Sequence, residues 1–279
     1  MPSGYIGNWL YKYQLKTVYN GFSEKNNMLS VQLRFYEELN DFIRKEYRKK
    51  QINRHLKHRT TVKDVIESFG VPHTEVDLIL VNGKSESFNY HVKDQDKISV
   101  YPVFESFDIS SITRLQGRSL RNIRFVADVQ LGKLAKKLRF LGLDVEYRND
   151  FTNEKILQRV THGKRVLLTR DRRLLMHNVV QHGYLLRSDL PDKQTVEVVF
   201  RFDLADQLNP FARCAECNSV LHTVPKAQIL NHLEPKTKLY YQNFVQCERC
   251  RKVYWEGSHF IHLNEFVKWV RDSTRQLTR

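Results

Sequence analysis

Hydrophobic and polar positions divide the chain into stretches of different period. Between residues 29 and 104, Val31, Leu33 and Phe35 alternate with polar neighbours as a strand with one buried face does, and Leu39, Phe42 and Ile43 are the candidates for its return. Val62, Val65, Ile66 and Phe69 then fall at helical spacing behind Thr61, an N-cap residue type, and Gly70 ends the run. Two more strands are predicted, over 78–81 into the turn dipeptide Asn82-Gly83 and over 98–102 after the acidic turn 93–96. From residue 123 short apolar runs alternate with helical patterns. Strands are predicted over 123–127, 145–148, 165–169 and 184–187. Helices are predicted over 131–142, over about 153–162 closed by Gly163, over 174–182, and over most of 191–208 with Pro191 in the first turn. This alternation implies a parallel sheet with right-handed crossovers.

Composition narrows the class. The 279 residues are 41% hydrophobic and 28% charged, which excludes a disordered, collagen-like or coiled-coil chain and suits two domains with a small appended module. No run approaches the roughly 18 uncharged apolar residues of a membrane span, and residues 1–28 lack the apolar centre of a signal peptide. A cytoplasmic protein without membrane association is expected. The net charge of +15 is unevenly spread: residues 1–110 hold 16 basic and 14 acidic side chains, whereas residues 111–173 hold 16 and 6. Such a field concentrates polyanions, with nucleic acid the commonest. A basic surface kept for solubility explains charge alone equally well.

The four cysteines form two knuckles, Cys214-x-x-Cys217 and Cys247-x-x-Cys250. Two such knuckles supply the tetrahedral sulfur cage that zinc prefers, and with every ligand drawn from protein the site is structural. Two disulfides would require an oxidising compartment, and an iron–sulfur cluster is the minor alternative. His222, His232, His259 and His262 lie nearby as weaker competitors for the metal.

Two acids end apolar runs: Asp128 after Phe125-Val126-Ala127, and Asp171 after Leu167-Leu168-Thr169-Arg170. Ligands of an open parallel sheet bind at the carboxyl ends of its strands, so both side chains are expected at one rim. Carboxylates gathered there suit Mg²⁺ or Mn²⁺. Glu154 is the best third acid, with Asp150 and Asp189 behind it. The competing reading is that both aspartates simply cap the helices that follow. Lys133, Lys136, Lys137, Arg139, Arg170, Arg172 and Arg173 flank the rim, which favours the phosphate-binding reading.

Two resemblances attach to these residues. The order strand, strand, helix, strand, strand, with Val81-Asn82-Gly83 and Asp94-x-Asp96-x-Ile98-x-Val100-x-Pro102, resembles the ubiquitin-like β-grasp fold and most of all its sulfur-carrier branch. Those carriers act through a carboxy-terminal Gly-Gly tail, whereas Val103-Phe104-Glu105-Ser106 follows here, so a binding or positioning role is expected. Phe125-Val126-Ala127-Asp128, Leu131-Gly132-x-Leu134-Ala135-x-x-Leu138-Arg139-x-Leu141-Gly142 and Leu167-Leu168-Thr169-Arg170-Asp171-Arg172 resemble the RNase domain at the carboxyl end of the Mut-seven exonuclease, a branch of the PIN-fold nucleases. Pro210-Phe211-x-Arg213-Cys214-x-x-Cys217-Asn218 and Val253-Tyr254-Trp255-Glu256-Gly257-Ser258-His259 match the zinc ribbon that follows that domain.

The resemblance implies an α/β PIN-like parallel sheet with a C-terminal zinc ribbon, preceded by the β-grasp domain. The expected boundaries are 1–28 extension, 29–104 β-grasp, 105–122 basic linker, 123–209 PIN-like domain, 210–262 ribbon and 263–279 C-terminal helix. It implies metal-dependent hydrolysis of RNA phosphodiesters with Asp128 and Asp171 in the acidic metal site; the residues add the expectation that Glu154 joins them around Mg²⁺ or Mn²⁺, with Asp150 in reserve, and that Lys133, Arg139, Arg170 and Arg172 position the strand. Tyr254, Trp255, His259 and Phe260 are candidates for stacking on unpaired bases or for a small core beside the zinc. One departure stands out: relatives commonly carry an acid just before the helix-two Glu, where this chain has Thr152-Asn153. The alternatives are a non-catalytic RNA-binding module and a zinc-ribbon adaptor whose ubiquitin-like domain recruits a protein partner.

Overall fold

The computed structural model describes residues 28–102 and 123–277, with side chains described for all of them except 258–261. The expectations for residues 1–27 of the amino-terminal extension, for residues 103–104, for the whole of the basic linker and for the side chains of His259 and Phe260 lie outside the described residues.

In the amino-terminal domain, β1 (Leu29–Phe35) pairs antiparallel with β2 (Ile52–Leu56). α1 (Val62–Ser68) begins in a capping box, Thr61 accepting from the Asp64 N–H while Asp64 accepts from the Thr61 N–H, and Gly70 follows it at φ +87°. β3 (Val76–Val81), β4 (Lys84–Ser85) and β5 (Lys97–Pro102) complete a mixed sheet in the order β2-β1-β5-β3-β4, with β1 and β5 parallel. The expected return strand at Leu39, Phe42 and Ile43 is corrected. Residues Glu37–Asp41 form a 3-10 turn and the return is β2. Spacings of three and one bury Leu39, Phe42 and Ile43 on the inside of that turn. The Asn40 amide ties it, donating to the carbonyls of Phe35 and Glu37 and accepting from the Lys49 N–H.

The second sheet is wholly parallel: β6 (Phe125–Ala127), β7 (Val145–Glu146), β8 (Val166–Thr169) and β9 (Gly183–Leu185), in the order β7-β6-β8-β9. The crossovers carry α2 (Gly132–Phe140), α3 (Asn153–Gly163) and α4 (Arg172–Leu175), and α5 (Pro191–Arg201) follows β9. α4 stops at Leu175, short of the expected 182, because the chain turns at His177 to Val180 and buries Val180. α3 ends on a left-handed residue that is Lys164 rather than the glycine before it.

Alternation along the strands sends side chains to two cores. Phe125, Ala127, Val166, Leu168 and Tyr184 face a core closed by residues of α2, α5 and the carboxy-terminal helix. Val126, Leu167 and Leu185 face the other, which they share with Ile156 and Val160 of α3, with Leu174, Leu175 and Val180, and with the core of the amino-terminal domain. The domains are therefore continuous through one buried cluster. Polar contacts pin the seam. Glu75, 3% exposed, accepts from the Leu185 N–H at 2.8 Å and lies 3.5 Å from Arg187. Burial pushes its carboxyl above the ordinary range, against the pull of Arg201 and Arg187. The His73 ring bridges Glu67 and the Val180 carbonyl, each at 2.7 Å.

The ribbon is an antiparallel sheet of β10 (Leu221–Thr223), β11 (Phe244–Cys247) and β12 (Val253–Trp255), with α6 (Lys226–Ile229) and α7 (Pro235–Tyr240) between its first two strands. α8 (Ser258–Leu277) starts five residues before the expected 263 and returns Val267 and Val270 to the α2–α5 core.

Because the seam is apolar, the full chain is expected to unfold in one cooperative transition. Residues 123–279 produced alone should bind a hydrophobic dye through the uncovered Val126–Leu167–Leu185 face. Two separate melting transitions, with the isolated piece as stable as in the full chain, would contradict this arrangement.

Candidate active site and metal centre

The order β7-β6-β8-β9 places the topological switch between β6 and β8, since the chain leaves β6 for one side and returns on the other. Crossovers diverge there and leave a crevice at the carboxyl ends. Asp128 follows β6 and Asp171 follows β8 by two residues, so the two acids flank the switch.

Thr169, fully buried at the end of β8, couples them. Its hydroxyl donates to Asp128 Oδ2 at 2.7 Å and accepts from the Asp171 N–H at 2.9 Å. Asp128 Oδ1 accepts from the Val129 N–H at 2.6 Å, and Asp171 Oδ1 accepts from the Arg173 N–H at 2.8 Å. Both aspartates thus cap the turns that follow them. Capping leaves Asp171 Oδ2 without a hydrogen-bond partner among the described residues, and neither carboxylate is ion-paired there. Thr169 had no place among the sequence candidates. Its signal was available: a hydroxyl residue closing an apolar strand two positions before an aspartate.

The other acids are held differently. Asp150 is bidentate to Arg148 at 2.8 and 2.7 Å, and that guanidinium holds its carboxyl below the usual range. Glu154 is exposed in the first turn of α3, where the Thr152 hydroxyl lowers its pKa. Asp189 is paired with Arg170. The expected three-carboxylate group is not brought together: among the described residues, the four cysteines are the group of three or more His, Cys, Asp or Glu side chains whose ligand atoms all lie within 4.8 Å. Tyr147, at the end of β7, occupies the rim beside Asp128. Its hydroxyl donates to the Val129 carbonyl at 3.1 Å, and a Cβ on Gly132 would stand 2.6 Å from that oxygen.

A cleft of about 420 Å³ opens beside the two aspartates, and the segment after every strand of the parallel sheet contributes to it. Gln130 and Lys133 follow β6, Tyr147 follows β7, Arg170 follows β8, and Asp189 and Gln194 follow β9, while Asp128 and Asp171 themselves are not among its lining residues. Of the four cations assigned to RNA, Lys133 and Arg170 line this cleft, Arg170 shared with Asp189. The other two are corrected. Arg139 is 3% exposed and donates to the carbonyls of Val145, Ala215 and Glu216 at 2.9, 3.1 and 2.8 Å. Ala215 and Glu216 are the two residues inside the first cysteine knuckle, so this cation ties α2 and β7 to the ribbon. Arg172 donates to the Phe42 carbonyl at 3.0 Å and lies over the Phe42 ring, across the domain seam.

The cysteines fit zinc. Cys214–Cys250 and Cys217–Cys247 sulfurs are 3.5 and 3.3 Å apart, against about 3.8 Å expected for a tetrahedron with 2.3 Å bonds. No disulfide links them, and the Tyr254 hydroxyl stands 3.1 Å from Cys214 Sγ. At Cys217 burial opposes ionisation, but hydrogen bonds from Ser219 and the neighbouring thiols bring the pKa down to about 6, whereas burial pushes the Cys247 and Cys250 thiols up, so the four share their protons unevenly without a metal. The knuckle is braced to the sheet a second time. Asp144 accepts from Arg165 at 2.7 Å and from the Asn218 amide at 2.8 Å, and Arg213 lies 3.3 Å away. Gly142 is irreplaceable beside it: at φ +89°, a Cβ would meet the Asn209 carbonyl oxygen at 2.1 Å.

Arg139→Met is therefore expected to act as a structural lesion. It removes the Arg139 donors to four carbonyls, those of Val145, Tyr147, Ala215 and Glu216, lowering stability by about 3 kcal/mol and speeding loss of added zinc to a chelator. Unchanged melting and unchanged zinc release would refute that role.

A family model described as the Mut7-C RNAse domain matches residues 123–267, and one described as Mut7-C ubiquitin matches residues 28–108. No curated protein sequence matches the chain. The solution structure of the Haloferax volcanii HVO 2177 protein is similar at 20% identity over 29% of this chain and 88% of that chain, with a TM-score of 0.24, too low to inform the fold. No described helix is long and apolar enough to cross a membrane. With the first match spanning more than half of its length, the chain belongs to the Mut7-C RNase domain family and carries a Mut7-C ubiquitin domain ahead of the RNase domain.

Proposed function

We propose that the chain is a metal-dependent ribonuclease of PIN-like type whose reacting centre is the Asp128–Asp171 pair. The observation that carries this reading is the Thr169 bridge: two carboxylates, with no ion-paired cation among the described residues, are held at strand ends at the switch point of a sheet from the RNase family. The donor set suits Mg²⁺ or Mn²⁺, which often takes one or two carboxylates and completes its shell with water and substrate phosphate. Asp128 and Asp171 would hold the ion, and Glu154 would join only by moving from its present position. When bound, the cation lowers the pKa of water and stabilises charge on the phosphate. The protein's own residues do the rest. Thr169 fixes the Asp128 carboxylate through Oδ2, and Asp171, capping through Oδ1, keeps Oδ2 without a hydrogen-bond partner among the described residues. Lys133 and Arg170 place positive charge along the cleft where a phosphate would lie. Zinc is proposed as the structural ion of the ribbon, RNA as the partner and the cytoplasm as the location.

A binding-only module is the second reading, and the observation favouring it is that Glu154 and Asp150 do not join the pair. A protein-recruiting role for the ubiquitin-like domain would have to use surfaces outside the seam.

With Mn²⁺ and mixed RNA, Asp128→Asn and Asp171→Asn are expected to lose cleavage by about 100-fold or more. Thr169→Val should lose about 10-fold or more by releasing the pair. Equal cleavage by wild type and both aspartate variants would mean that the activity is not this site's. Salt-sensitive binding without cleavage would establish the module.

A further inference from the structure

Residues 44–59 of the ubiquitin-like domain hold eight Lys or Arg side chains against one acid, Glu46. Averaging over residues 1–110 conceals this run, because acids elsewhere cancel it. The structure places Lys45, Lys49 and Lys50 at one corner of the domain, around the 3-10 turn Lys45–Tyr47, and the edge strand β2 carries Lys57 and Arg59 to its other end. Three of the eight have local partners. Arg44 approaches Glu46 at 3.8 Å, Arg48 donates back to the Ile43 carbonyl, and Arg54 lies over the Phe69 ring. Lys45, Lys49, Lys50, Lys57 and Arg59 are exposed and have no carboxylate at ion-pair distance among the described residues. Lys45, Lys49 and Lys50, uncompensated within six residues, repel one another and attract a polyanion, and Lys57 and Arg59 extend the positive charge along the strand.

The placement of this corner says which polyanion. The run leaves Phe42, whose carbonyl accepts from Arg172 and whose ring lies 5.1 Å beneath that guanidinium and 5.7 Å beneath the guanidinium of Arg187. Arg172 is the residue after Asp171. The basic corner thus begins one side chain away from the carboxylate rim, across a seam held by buried contacts. Edge strands often carry lysines merely to block pairing with another sheet, but that role does not require proximity to the rim.

We propose that the corner formed by residues 44–50, continued along β2 to Lys57 and Arg59, is a phosphate-tracking surface that holds single-stranded RNA beyond the cleft and leads it to Asp128 and Asp171. The identity of the polyanion rests on the ribonuclease reading. The contacts are lysine point charges on backbone phosphates, so binding there is independent of base sequence. On this view the ubiquitin-like domain is part of the substrate platform.

The test compares the full-length protein with Lys45→Glu/Lys49→Glu/Lys50→Glu and with a charge-matched control, Lys84→Glu/Lys268→Glu/Arg275→Glu. The probe is single-stranded RNA of about 20 nucleotides, titrated over a range of salt. Removing three phosphate contacts should reduce the slope of log affinity against log salt by about 2 and weaken binding by about 10-fold or more at 0.1 M salt, with the control near wild type. The milder Lys45→Gln/Lys49→Gln/Lys50→Gln variant should change in the same direction, which guards against misfolding from reversed charge. Cleavage of a di- or trinucleotide, which reaches only the rim, should be unchanged, whereas cleavage of the longer RNA slows. A wild-type slope in the corner variants, or an equal loss in the control, overturns the proposal while leaving the nuclease reading intact. So does loss of binding to anionic vesicles or an acidic protein with RNA binding unchanged. Wild-type protein that neither binds nor cleaves RNA overturns both.

Discussion

A parallel sheet built from crossovers has two apolar faces, and both must be covered before its strand ends can be held still. Every residue of β6, β8 and β9 is buried, with one face closed by α2, α5 and α8 and the other by α3 together with the amino-terminal domain. Full burial of an aliphatic side chain is worth about 1.5–3 kcal/mol. If the amino-terminal domain covers even half of Val126, Leu167, Leu174, Leu175, Val180 and Leu185, separating it would cost on the order of 5 kcal/mol, comparable with the net stability of a whole domain. The ubiquitin-like domain is therefore a structural layer of the RNase sheet, and the rigidity of the rim depends on it.

Rigidity matters because the site is small. Thr169 spans two strands' ends with one hydroxyl, and its position is set by the β6–β8 ladder, where Ala127 pairs with Leu168 and the Asp128 N–H reaches the Leu168 carbonyl. Cations that look like substrate ligands are spent on the same purpose. Arg139 locks the first cysteine knuckle to α2 and β7, and Arg172 locks the seam beside Asp171. The cysteine cluster, the parallel sheet and the ubiquitin-like domain thus form one mechanical unit around the rim.

Much of this was legible in the residues. Uninterrupted runs such as Val166-Leu167-Leu168-Thr169 announce a strand buried on both sides, and the paired Cys-x-x-Cys knuckles announce their cluster. The true return strand escaped because β2, Ile-Asn-Arg-His-Leu, is an edge strand with a single fully buried side chain, whereas Leu39, Phe42 and Ile43 offered more apolar area. The roles of Arg139 and Arg172 escaped for another reason. A basic residue beside a phosphate-binding rim reads as a ligand, and only coordinates show carbonyls of distant residues converging on it. The shared core could not be read either, since Val126 and Ala127 are equally apolar and nothing local says which protein layer each one meets.

The account turns on the Thr169-linked carboxylates acting as a cation-binding pair toward RNA. The most direct measurement is anomalous scattering from Mn²⁺ in crystals grown with a non-cleavable RNA analogue. The account expects the ion between carboxylate oxygens of Asp128 and Asp171 with a substrate phosphate beside it. An ion bound elsewhere, with both aspartates still engaged only as caps, would contradict it.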